Sequence, residues 1–233
     1  MFVNSTLNLT LLKLQSTLGY TPANSLITIG PTRYTPLGDN YIQVCYGGSN
    51  FAGEGGGNLE RNWSMTVALF NRLNMDQAAT FTIESQQMIR SAKQIARCLH
   101  LWLPPSIMAV PFTNGGAYQI NPLDEITGSV SGATGTILDV QVDEGDFSTL
   151  DASGVLYYQA ASGTFDDSES VSVGANLSVA QTNGDAYAGL IVIEPLFITN
   201  ESTPSISDQE TRTLLIRQSY AVKSLSGLAD LEI

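Results

Sequence analysis

His100 is the only histidine in a chain of 233 residues. A Ser-His-Asp or Cys-His device needs that imidazole beside a nucleophile and an orienting carboxylate. His100 stands instead between Leu99 and Leu101-Trp102, an apolar setting, and reads as structural. Gly128-Ser129-Val130-Ser131-Gly132 puts valine, not serine, at its centre, so it is no nucleophile elbow. Cys45 and Cys98 lie far apart, and no Cys/His set has zinc-ligand spacing. Reduced thiols are expected. Gly53-Glu54-Gly55-Gly56-Gly57 lacks the Gly-Lys-Ser/Thr ending of a phosphate-cradling loop. Asp143, Glu144, Asp146 and Asp151 could crowd oxygens around Ca²⁺, but their spacing departs from the calcium-loop pattern, and a solvated acidic surface is expected. No catalytic, cofactor-binding or metal-binding residue is assigned. The chain is expected not to be an enzyme and to need no cofactor.

The charge that does exist is unevenly placed. Lys+Arg total 10 and Asp+Glu 22, a net charge of -12. Between Asn121 and Tyr187 there are 11 acidic residues and no Lys or Arg, which leaves 11 acidic against 10 basic elsewhere, a balance of −1. Such different surfaces imply two folding units. The expected division is an outer domain in two parts, 1–120 and 187–233, with an inserted acidic β domain at 121–186. The outer part is expected to fold without the insert. Nucleic-acid adhesion is disfavoured, because neutralising phosphates takes clustered Lys/Arg. The start lacks the basic and long apolar regions of a secretion leader. The most apolar stretch, Leu99 to Phe112, is broken by His100, Pro104, Pro105 and Pro111, so no membrane span is expected.

Local pattern supplies the elements. Leu7, Leu11, Leu14 and Leu18 have helical spacing, and Gly19 can end that helix. A short strand opens at Ile27. Tyr41 to Tyr46 reads as a strand, Gly47 to Gly57 as a long mobile glycine loop, and Trp63 to Phe70 as the returning strand. Asp76 would N-cap a second helix whose stripe is Met88, Ala92, Ile95, Leu99 and Leu103. Residues 189–194 and 213–222 read as late strands, with Gln218 interrupting an apolar face, and 202–209 as a loop. This order predicts an α+β fold, an antiparallel sheet packed on helices, with an inserted small all-β domain. Within the acidic region, β-type runs are expected at 135–142, 155–159 and 171–179. A weak repeat there, Leu123-Asp124-Glu125…Gly132-Ala133 against Phe165-Asp166-Asp167…Gly174-Ala175, would suit two similar halves of a small barrel or sandwich.

The leading helix, the segment Asp39-Asn40-Tyr41-Ile42-Gln43-Val44, the long-looped hairpin, the strand Arg61 to Phe70 running into a long helix, and the late strand ending Arg217-Gln218-Ser219-Tyr220-Ala221-Val222 together resemble the tail-terminator (tail-completion) proteins of long-tailed bacteriophages. The likeness covers residues 7–115 and 188–224. The insert is similar to small β modules of phage structural proteins, through Ser131-Gly132-Ala133-Thr134-Gly135-Thr136 and Ala161-Ser162-Gly163-Thr164-Phe165. The resemblance implies a virion protein of tail and neck, assembled in the host cytoplasm. It implies a homo-hexameric ring that ends the tail tube and joins it to neck or connector proteins, with DNA passing through without specific binding. Gly47, Gly48, Phe51, Gly53, Gly55, Gly56 and Gly57 form the candidate assembly loop. The alternatives are another neck, tail or capsid-decoration position, and a carbohydrate- or ligand-binding module carried by the insert.

Overall fold

In the computed structural model, residues 2–21, 25–28, 41–52, 58–72, 78–192, 194–202, 205–208 and 213–227 are described. The amino-terminal leucine repeat forms helix α1 (Phe2–Leu18). Gly19, at φ +75°, closes it with its N–H on the Gln15 carbonyl. Three strands follow: β1 (Ser25–Thr28), β2 (Tyr41–Ala52) and β3 (Asn58–Arg72). Helix α2 (Ala78–Leu99) buries Met88, Ala92, Ile95 and Leu99 on one face. Leu103, expected on the same stripe, lies beyond the helix end and is exposed. Asp76, the expected N-cap, falls outside the described residues.

The rest of the chain is strand. It runs through β4 (Ile107–Gly115), β5 (Glu125–Gly128), β6 (Thr134–Glu144), β7 (Ala152–Ser162), β8 (Ser170–Val173) and β9 (Asn176–Thr182). Then come β10 (Tyr187–Val192), β11 (Phe197–Glu201), β12 (Ser205–Asp208) and β13 (Thr213–Gly227). The expected α+β fold is therefore corrected: the protein is mostly β and contains a closed six-stranded antiparallel barrel. The clear helical periodicities at either end of the outer segment outweighed strands with weak patterns. β4 carries a proline, and β12 occupies the stretch read as a loop.

β3 is the backbone of the outer sheet. It pairs with β2 on one side and, from Asn58 to Arg72, with all of β13 on the other. The far side of β13 is covered in turn by β12, β11 and β10. β10 hands the sheet on to β4, and the barrel closes in the order β4-β7-β6-β5-β8-β9 and back to β4. Pro111 sits where the neighbour of β4 changes from β10 to β9. Its carbonyl accepts from Asn183 N–H, so its nitrogen faces the same gap and no ladder bond is lost.

The two occurrences of the sequence repeat are the hairpins β5–β6 and β8–β9, turning at left-handed Gly132 and Gly174. Their first strands pair with each other. β7 follows β6 in the first half; the strand beside β9 in the second is β4, from earlier in the chain. The division at residue 121 thus falls between two strands of one barrel. Val110, Phe112 and Ile120 from the first segment pack inside with Ile137, Leu156, Tyr158 and Phe165. The barrel wall is shared as well. Leu138 and Tyr157 join Leu7, Leu11 and Leu14 of α1 in the outer core. Asn8 donates from Nδ2 to the Leu138 carbonyl at 2.5 Å. α1 buries even Ser5, Thr6 and Thr10, because it is wedged between sheet and barrel.

Candidate functional site

His100, Asp146 and Asp151 each make contacts within the fold. His100 accepts at Nδ1 from Ile198 N–H (3.3 Å) and meets Phe197 edge-on at 4.8 Å. Neither Cys45, which is buried, nor Cys98 is in a disulfide. Asp146 Oδ1 accepts from Ser148 N–H, and Asp151 Oδ1 accepts from Thr149 Oγ1 and Asp146 N–H. Those bonds hold both carboxyls below the usual carboxylate range. Asp146 and Asp151 therefore close the loop after β6, while Asp143 accepts from Gln141 Nε2 within that strand. Among the described residues no group of three His, Cys, Asp or Glu side chains could hold a metal. Nor is any described helix long and apolar enough to cross a membrane.

The described part of the candidate assembly loop, 47–52, is strand. Gly47 and Gly48 stand at a register shift in β2, between Tyr46 and Ser49. A Cβ at Gly47 would displace the Ser64 hydroxyl and sit 3.1 Å from the Ser64 carbonyl oxygen, so the close approach of β3 favours glycine there. Phe51 pairs with Arg61 in the β2–β3 ladder. Gly53, Gly55, Gly56 and Gly57 lie outside the described residues. The reading of 47–57 as one loop missed this extension of the hairpin, because Gly and Ser carry little strand signal.

Sequence reasoning also missed an apolar shelf next to that hairpin. Leu101, at φ +63°, takes the left-handed position just past α2 that glycine usually fills. Reciprocal backbone bonds, Leu101 N–H to Leu196 O and Leu196 N–H to Trp102 O, hold the segment there. The consequence is an outward leucine, 59% exposed, beside Phe197 (55%). The two residues border a groove of about 370 Å³ floored by Trp63 and Val222 and edged by the Lys223–Glu194 ion pair at 3.2 Å. Trp63 pairs with Ser49 and Asn62 with Asn50, so the predicted assembly strand is one ladder step from this groove. No pattern announces the shelf: a lone Leu after a helix and a lone Phe before a polar run read as ordinary core.

The second feature is polar and belongs to the barrel. Glu169, 1% exposed, accepts from Val130 N–H and Ser131 N–H at Oε2 (3.0 Å each) and from Ser131 Oγ (2.7 Å) and Asp166 N–H (2.8 Å) at Oε1. Burial alone would push this carboxyl up; the four donors outweigh it and hold it below its ordinary range. A Cβ on Gly128 would come within 2.5 Å of Glu169 Oε2, so the strand beside it must be bare. Glu169 thereby ties the β5–β6 turn to the entry of β8. On the outer side of that tie lies a depression of about 460 Å³, walled by Asn114, Ser129, Ser168, Ser170, Ser178 and Gln181.

Comparison with known proteins gives no match to any family model and none to a curated relative.

Proposed function

We propose that this protein is a structural virion subunit of the phage tail-terminator kind, forming a ring that ends the tail tube and joins it to the neck. The observation that carries the reading is the juxtaposition of the apolar shelf with the long β2–β3–β13 arm. Leu101 and Phe197 are more than half exposed beside a groove that the arm itself floors. Exposed apolar surface contiguous with a polar rim marks a protein contact. The order of the elements named in the resemblance supports the phage assignment. The near-balanced charge outside the barrel lets copies approach, whereas the barrel carries the acidic excess. The barrels therefore point radially outward, where water and salt screen them. DNA traverses the ring without specific contacts.

The full chain is tested by light scattering coupled to size exclusion and by negative-stain microscopy. Closed rings, six-membered by the resemblance, are expected. The double variant Leu101→Asp, Phe197→Ser should shift the protein to monomers that keep the parent's far-UV circular dichroism spectrum. Monomers alone at every concentration, or rings untouched by the double variant, overturn the reading.

A further inference from the structure

We propose that the depression on the barrel flank is a binding site for a neutral saccharide. The barrel interior is filled by its own side chains, so a ligand has to bind on the wall. Three segments distant in sequence build the depression: the end of β4, the β5–β6 turn, and the β8–β9 hairpin with the residues before it. Six non-glycine residues among those described have positive φ, and three of them stand here: Asn114 (+53°), Ser168 (+59°) and Ser178 (+53°). Such conformations persist only where the surroundings enforce them, and they gather at sites with a shape to keep. Glu169, which also lines the depression, is the enforcing element for the Val130–Ser131 side.

The hydrogen-bonding inventory of the wall is incomplete in a specific way. Asn114 Nδ2 donates to Gln181 Oε1 (3.0 Å), and Gln181 Nε2 donates to the Ser168 carbonyl (3.3 Å). That leaves Asn114 Oδ1 as an acceptor. Ser129 Oγ accepts from Ser170 N–H (3.2 Å), which leaves its own hydroxyl hydrogen to donate. Ser170 Oγ and Ser178 Oγ share one hydrogen at 2.7 Å, which leaves a second. Val130, 77% exposed, adds an apolar rim. Alternating donors and acceptors with one apolar contact match a sugar ring, whose hydroxyls alternate with C–H faces. The stretch 121–187 contains no Lys or Arg and 11 carboxylates, so an anionic ligand is repelled. Among the described residues no three carboxylate, thiol or imidazole groups gather there to hold a metal cation. Neutral polyols remain.

Saturation-transfer difference NMR on the full chain tests this, with maltose, lactose, cellobiose and diacetylchitobiose as neutral probes and sialyllactose as the anionic control. At least one neutral probe should show transfer, and sialyllactose should not exceed lactose. Ser129→Ala and Ser170→Ala, each removing one of the wall's hydroxyls, should raise the dissociation constant from a saturation-transfer titration about fivefold, the loss of one ordinary hydrogen bond. The Leu101→Asp, Phe197→Ser variant should keep the parent's constant, whether or not rings form, so this site stands or falls apart from the ring reading. Absence of transfer from every neutral probe overturns the site. So does preference for sialyllactose, or parent-like binding in both depression variants.

Discussion

Removal of the Glu169 carboxylate should loosen the barrel more than any other single surface-adjacent change. Its two oxygens collect four donors, three of them backbone N–H groups: Val130 and Ser131 in the β5–β6 turn and Asp166 ahead of β8. A hydrogen bond to a charged group contributes about 1.5–3 kcal/mol, and such contributions do not add when they share one acceptor. The turn amides of Val130 and Ser131 regain water once the carboxylate is gone, which returns part of the loss. Glu169→Ala should therefore cost about 2–4 kcal/mol. Glu169→Gln keeps the shape but turns an amide NH₂ toward either Val130 and Ser131 N–H or Ser131 Oγ and Asp166 N–H. It should cost about half as much. The pH dependence carries the same signature. A carboxyl held below its ordinary range contributes stability above the unfolded value and loses it as pH falls through the folded one. Both variants should therefore flatten the acid limb of the stability profile. Urea unfolding, followed by far-UV circular dichroism from neutral to acid pH, measures cost and limb together. A Glu169→Ala loss under about 0.5 kcal/mol, or an acid limb identical to the parent's, would refute the account.

Asp139, half-buried on β6, is the opposite case. Burial pushes its carboxyl up, and bonds from Val140 N–H (3.0 Å) and Asn4 only partly offset this. The charged form therefore costs stability above the ordinary carboxylate range. Asp139→Asn should melt higher than the parent near neutral pH, with the gap closing below about pH 4 in a calorimetric series. Gln218, buried in β13, donates to the Ala92 carbonyl of α2 (2.8 Å) and accepts from Tyr220 Oη (2.9 Å). Gln218→Leu strands that tyrosine hydroxyl and should cost about 1–3 kcal/mol in urea unfolding. Replacing 121–185 by a short Gly/Ser linker strips β4 of β7 and β9 and takes Leu138 and Tyr157 from α1. Hydrogen exchange on that deletion should show α1 amides unprotected; native-like protection would contradict the shared wall.

The sequence alone was enough for the elements whose signal is local. The leucine spacing of α1 and the stripe of α2 appear where the periodicity puts them, since a helix registers its buried face every three or four residues. The acidic region was legible as β-rich, and its repeat matches two hairpins, but the run read at 171–179 is two strands, β8 and β9, turning at Gly174, and β5 was not read at all. Gln218 stood out as a break in an apolar face, but only the tertiary structure shows that it reaches across to the Ala92 carbonyl. The non-local relations were not legible. β4 belongs to sheet and barrel at once because its two edges meet strands about 40 to 80 residues away. That sharing turned an apparent insertion at 121–186 into a barrel with a borrowed strand, and it moved the balance from α+β to mostly β. The polar depression is hidden for the same reason. Serines, an asparagine and a glutamine carry no motif, and the left-handed backbone at Asn114, Ser168 and Ser178 is imposed by packing rather than by residue type. Spacing along the chain fixes which face of an element is apolar. Only closure of the barrel decides which elements share a wall and which polar groups are left facing outward.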